Sequence, residues 1–181
     1  MAGVGLTGVA APGNFSVVTS GTLDGSATPG SAVFTTTDLL MTGSDSAEAS
    51  CTNTPCVLAV SLARPGTYSF DWLYTSHDGA GAAFDWFGLA LDGLSVGFDG
   101  TPGLPSVSDP GGAPVQSGHF SQVVKSSFAW FIDCQDCVGG NAVVQITNFV
   151  TTAAPEPTGW ALMLASLSLA AMSGAQRRRS A

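Results

Sequence analysis

Charge is scarce in this chain, and basic charge is the scarcest. Only 10% of residues are charged, with one lysine, Lys125, and two glutamates, Glu48 and Glu156. Surface helices rely on long straight side chains and Glu–Lys neighbours. A chain without them, rich instead in Gly, Ser, Thr and Val, predicts strands and tight turns. Thirteen acidic residues precede Thr158 against two basic ones, Arg64 and Lys125, and the net charge is −8. That balance excludes nucleic-acid binding by charge, since such a domain repels phosphate. It favours solubility and can attract cations. Histidine is limited to His77 and His119. One of the two glutamates lies in a terminal motif. These absences predict a protein that is not an enzyme. A secreted hydrolase, using His77 or His119 beside an Asp and a Ser, is the catalytic alternative.

What is present is a succession of short apolar runs. NFSVVT (14–19), AVFTT (32–36), LLMT (39–42), CVLAVSLA (56–63), TYSFDWLY (67–74), FDWFGLAL (84–91), LSVGF (94–98), GHFSQVV (118–124), SFAWFID (127–133) and AVVQITNF (142–149) read as strands. Turn signals separate them every 8–12 residues, the pattern of an antiparallel β-sandwich or jelly roll. The Arg64-Pro65-Gly66 break predicts a turn joining 56–63 and 67–74 as an antiparallel pair. Asp92-Gly93 predicts a hairpin. Tyr68, Phe70, Trp72, Phe84, Trp86, Leu89, Phe128, Trp130 and Ile146 are the expected core. The domain is expected at 14–150, after a partial leader or disordered N-terminus (1–13).

Two clusters of possible ligands stand out. The cysteines come as Cys51-x4-Cys56 and Cys134-x2-Cys137. Outside the cytoplasm the expected chemistry is two local disulfides, Cys51–Cys56 and Cys134–Cys137; a four-Cys zinc site, cross-pairing and free thiols are the alternatives. Asp71, Asp78, Asp85, Asp92 and Asp99 recur every seven residues. On strands that spacing switches faces each time, so no common surface follows. Locally, Asp78 in a Gly-rich loop and Asp85 at a strand start could, with carbonyls, ligate calcium. A calcium-dependent carbohydrate-binding module is therefore an alternative function. Otherwise no cofactor is expected.

The C-terminal end carries the clearest signal. A linker (151–157) ends in Pro155-Glu156-Pro157, an uncharged apolar run fills 158–175, and a basic tail (176–181) holds Arg177, Arg178 and Arg179. As a helix the 18-residue run is about 27 Å long, close to a bilayer core of roughly 30 Å. The arginines mark its cytoplasmic end. In this order the three elements resemble the sorting tail of the PEP-CTERM family of bacterial exported proteins. The resemblance implies an exosortase as partner. It also implies a transmembrane anchor in the inner membrane before processing. Release then follows into the cell envelope or extracellular matrix of a Gram-negative bacterium. Association with exopolysaccharide or biofilm is implied as well. The stretch 72–93, with its aromatic strand, Ser76-His77-Asp78 loop and Asp-Gly hairpin, is also similar to domains of that family. It implies a β-sandwich and no established activity.

Overall fold

Side-chain alternation sets the architecture. Along β6 (Gly66–Ser76), Tyr68, Phe70 and Tyr74 are buried, whereas Ser69, Asp71 and Leu73 lie on the opposite, open face. A strand has period two, so one face enters a core and the other meets water. The same division holds along β5 (Cys56–Leu62), where Cys56, Leu58, Val60 and Leu62 are buried. The structure is a computed structural model that describes residues 2–20, 28–45, 56–95, 107–109, 111–134 and 137–153.

The remaining strands are β1 (Ala2–Val4), β2 (Ser16–Ser20), β3 (Ser31–Phe34), β4 (Leu39–Thr42), β7 (Asp85–Leu91), β8 (Leu94–Ser95), β9 (Val115–Val124), β10 (Phe128–Cys134) and β11 (Ala142–Ala153). They form two sheets. One has the order β3-β4-β11-β6-β9, with β1 added along the end of β11; the other has the order β2-β5-β10-β7-β8. Every pairing is antiparallel. The protein is thus all-β, with a sandwich-like arrangement of two sheets. No helix among the described residues is long and apolar enough to cross a membrane. The apolar run 158–175 lies outside the described residues.

An aromatic cluster fills the interior. Tyr68 stacks on Phe128 at 5.0 Å, Phe70 meets Phe120 at 5.0 Å and Trp130 at 5.4 Å, and Trp130 meets Phe149 at 5.3 Å. Burying one such side chain contributes about 2–3 kcal/mol, so these rings carry much of the stability. Of the expected core, Tyr68, Phe70, Leu89, Phe128, Trp130 and Ile146 are buried, and Trp72 packs against the cluster while half-buried.

Four expectations are corrected. Phe84 is exposed and Trp86 half-buried, because Asp85, Phe87 and Leu89 are the residues of β7 that point inward. A shift of one residue exchanges the faces of a whole strand. Strands β5 and β6 do not pair; the Pro65 turn carries the chain from one sheet to the other. The last strand runs through Ala153 instead of ending at 149, and Ala2–Val4 pairs with Val150–Thr152, so the sheet extends beyond 14–150 at both ends. The Asp92-Gly93 hairpin forms as expected, joining β7 to β8. Both residues have positive φ, 56° and 81°, which the tight two-residue turn requires. Asp92 Oδ1 also accepts hydrogen bonds from the N–H groups of Lys125 and Ser126, tying this hairpin to the β9–β10 turn.

Candidate functional site

The open face of the first sheet carries a connected polar cluster. Residues 69 and 71 of β6 share this face because they are two apart. In the β6–β9 register Asp71 lies opposite His119 and Ser69 opposite Ser121. His119 Nδ1 is 2.6 Å from Asp71 Oδ1, and His119 Nε2 is 3.2 Å from Ser69 Oγ. The fourth member comes from β11. Its register with β6 shifts between Thr147 and Val150, and Asn148 sits there with φ 51°. This bulge moves Phe149 into the core and leaves Asn148 outside, where its Nδ2 donates to Asp71 Oδ2 at 2.7 Å. Hydrogen bonds from Asn148 and then His119 hold the Asp71 carboxyl below its ordinary range. The cluster is open to water, with the His119 and Asp71 side chains 60% and 44% exposed.

Aliphatic side chains surround it. Val33, Leu40, Gln145, Leu73 and Ser117 form one cross-strand row across the sheet. Val33, Leu40 and Leu73 in that row are exposed, as are Val115 and Val123 on edge strand β9. This face therefore mixes apolar and hydrogen-bonding groups over five strands.

The outward side of the second sheet differs. Phe131 and Asp133 lie on it yet are buried. The Phe131 ring rests on Gly88, where an added Cβ would lie 2.3 Å from the ring. Asp133 stands between Val57 and Trp86 in the register. Burial pushes its carboxyl up to about 7. Ser108, also buried, donates its backbone N–H to the Phe87 carbonyl at 3.2 Å, and its Oγ accepts the Phe87 N–H at 3.0 Å. A sequence search for chemistry misses Asp133, because it looks like the polar position of an alternating strand.

The residues named from sequence fall in several places. Cys134 and Cys137 are disulfide-bonded, with Cα atoms 5.2 Å apart. Cys56 is disulfide-bonded too, and Cys51 lies outside the described residues. Among the described residues the three cysteines Cys56, Cys134 and Cys137 are therefore all in disulfides. Asp78 lies in the turn after β6, where its Oδ1 accepts the Ala80 N–H at 2.6 Å. Asp85 is buried at the start of β7, and its carbonyl accepts the Tyr74 hydroxyl. Burial pushes that hydroxyl up to about 12, with the negative charges of Asp85 and Asp78 adding to it. Among the described residues no three His, Cys, Asp or Glu side chains converge as a metal site. His77 is exposed on the loop after β6, away from the central stretch of β9 that holds His119. Pro155, Glu156, Pro157, Arg177, Arg178 and Arg179 lie outside the described residues.

The sequence alone singled out His119 as a candidate and Asp71 only as one of five regularly spaced aspartates; it did not single out Ser69 or Asn148. One signal was available for the bulge: Ile146 and Phe149 are both apolar and three apart, which breaks period two. No family model matches this chain, and no curated protein matches it. Among solved structures, it is similar to the enzymatically active domain of tailspike protein 4 of bacteriophage CBA120, at 13% identity and a TM-score of 0.33; the match covers 78% of this chain and 19% of that one.

Proposed function

We propose that this is an exported protein of the cell envelope or extracellular matrix, delivered by a PEP-CTERM-like tail, whose domain works as a surface for exopolysaccharide or neighbouring proteins. The observation that carries the surface role is the uncovered face of the first sheet, where Leu40, Leu73 and Val115 lie exposed near Asp71, His119 and Gln145. Monomeric proteins seldom leave apolar side chains grouped without a partner. The location rests on the tail: Pro155-Glu156-Pro157, the apolar run 158–175 as a membrane helix, and Arg177–Arg179 as the basic stop. An exosortase is its processing partner. The fold is read as jelly-roll-like: apart from the β3–β4 and β7–β8 hairpins, successive strands from β3 onward alternate between the sheets.

Mass spectrometry of protein from the extracellular fraction tests this. The expected mature chain ends near Pro155–Pro157. An intact C-terminal peptide bearing Arg177–Arg179 in that fraction overturns the processing.

A further inference from the structure

We propose that Ser69 is an activated nucleophile that takes acyl groups from accessible acyl esters, with His119 as its general base and Asp71 as the residue that positions His119. This goes beyond the surface role and does not depend on the tail.

The geometry is a continuous chain of contacts. Asn148 Nδ2 holds Asp71 Oδ2 at 2.7 Å, Asp71 Oδ1 holds His119 Nδ1 at 2.6 Å, and His119 Nε2 reaches Ser69 Oγ at 3.2 Å. A carboxylate on Nδ1 fixes the proton there, so Nε2 keeps its lone pair and accepts from the Ser69 hydroxyl. A serine hydroxyl is a weak nucleophile until such a base takes its proton, and the three roles define the arrangement whatever the fold. Structural cross-strand pairing alone would satisfy Asp71 with His119. It would not need Asn148, brought in by a bulge at positive φ, to fix the second carboxylate oxygen.

The chemistry balances without a cofactor. The Ser69 Oγ–acyl bond forms while the ester C–O bond breaks. The serine proton passes to His119 Nε2 and then to the departing alkoxide, which leaves as an alcohol. Water deprotonated by His119 then attacks the acyl-serine, releasing a carboxylic acid and restoring the hydroxyl. The exposed setting admits an ester carried on a polymer, such as an acylated sugar hydroxyl. Removing a single oxyanion donor from an enclosed site costs about 10²–10³ in rate. An open face is therefore expected to give one acylation per chain more readily than fast turnover.

The full chain treated with a fluorophosphonate and digested for mass spectrometry provides the test, with p-nitrophenyl acetate hydrolysis in parallel. The expected adduct is on Ser69. Its cross-strand neighbour Ser121, on the same face, is the internal control. His119→Gln should slow labelling about 100-fold, the scale of general-base catalysis. Asp71→Asn should lose most of it, and Asp71→Glu should restore a part, with melting temperatures close to that of the parent. No adduct, equal labelling of Ser69 and Ser121, or labelling unchanged in His119→Gln overturns the proposal. Failed tail processing would show only in the C-terminal peptide and leave Ser69 labelling untouched.

Discussion

Asn148 and Asp71 meet across a register shift: the Asn148 side chain donates to Asp71 Oδ2 at 2.7 Å only because β11 bulges at that point. The residue does two things, adopting φ 51° and fixing the carboxylate. Asn148→Ala should cost about 1–2 kcal/mol, since a Cβ without a local hydrogen bond is strained at positive φ. Asn148→Gly should cost less, because it removes the bond but not the permitted backbone. Denaturant midpoints would rank them. Either change should raise the Asp71 pKa, because the bond holding it down is lost. A depressed carboxylate contributes stability above its unfolded value and loses it as pH falls through the folded one. The stability that Asp71 contributes above its unfolded value should therefore shrink in both variants, and carboxyl NMR titration should find the folded Asp71 carboxyl ionising at higher pH than in the parent.

Asp133 has the opposite sign. Its folded pKa is pushed up to about 7 by burial, while the unfolded carboxyl ionises near its ordinary value of 3.8. Between those values the folded state binds the extra proton, so stability falls as pH rises from 4 to 7 and then levels. Asp133→Asn should flatten that window and raise the melting temperature at pH 7 by roughly 5 °C. Thermal melts of both proteins at pH 4, 5.5 and 7 check it. A parent melting temperature that climbs through this range while the variant tracks it would rule the account out.

Gly88 is a packing position. A Cβ there would lie 2.3 Å from the Phe131 ring, closer than any real contact. Gly88→Ala should cost about 1–3 kcal/mol as overpacking. Combined with Phe131→Ala, which removes the ring, the cost of the alanine at 88 should largely vanish. A double-mutant cycle in urea measures that coupling.

The two tyrosines give a clean optical probe. Tyr68 and Tyr74 are both buried, and burial raises both hydroxyls, Tyr74 to about 12. Phenolate absorbance at pH 10 should be small in the folded protein and rise on unfolding to about half its full value, since the ordinary tyrosine value is 10.0. Because the raised groups ionise only in the unfolded state near pH 10, stability should fall above that pH. Tyr74→Phe should cost about 1–2 kcal/mol, since it leaves the buried Asp85 carbonyl without that donor.

Much of the fold was legible in particular residues. Tyr68 and Phe70 announced the inner face of β6, and Asp92-Gly93 announced its hairpin. The phase of β7 was not legible. Phe84, Trp86 and Phe87 offer apolar residues to both faces, so alternation alone could not say which one turns inward. The Pro65 turn misled for a related reason: a tight break can end a hairpin or cross between sheets, and only the pairing elsewhere decides. His119 was visible as a rare residue, but its partners were not.

By itself the sequence determined the β character, the turn positions, the acidic balance and the terminal order of Pro-Glu-Pro, apolar run and arginines, because each depends on residues within a few positions of one another. Only the tertiary structure decided which strands share a sheet. It alone brought His119 to Asp71 across 48 positions and Asn148 to Asp71 across 77. Strand pairing at such separations is settled by the competition of whole faces for burial, which no local pattern encodes. The same bulge that turns Asn148 outward seats Phe149 in that shared core.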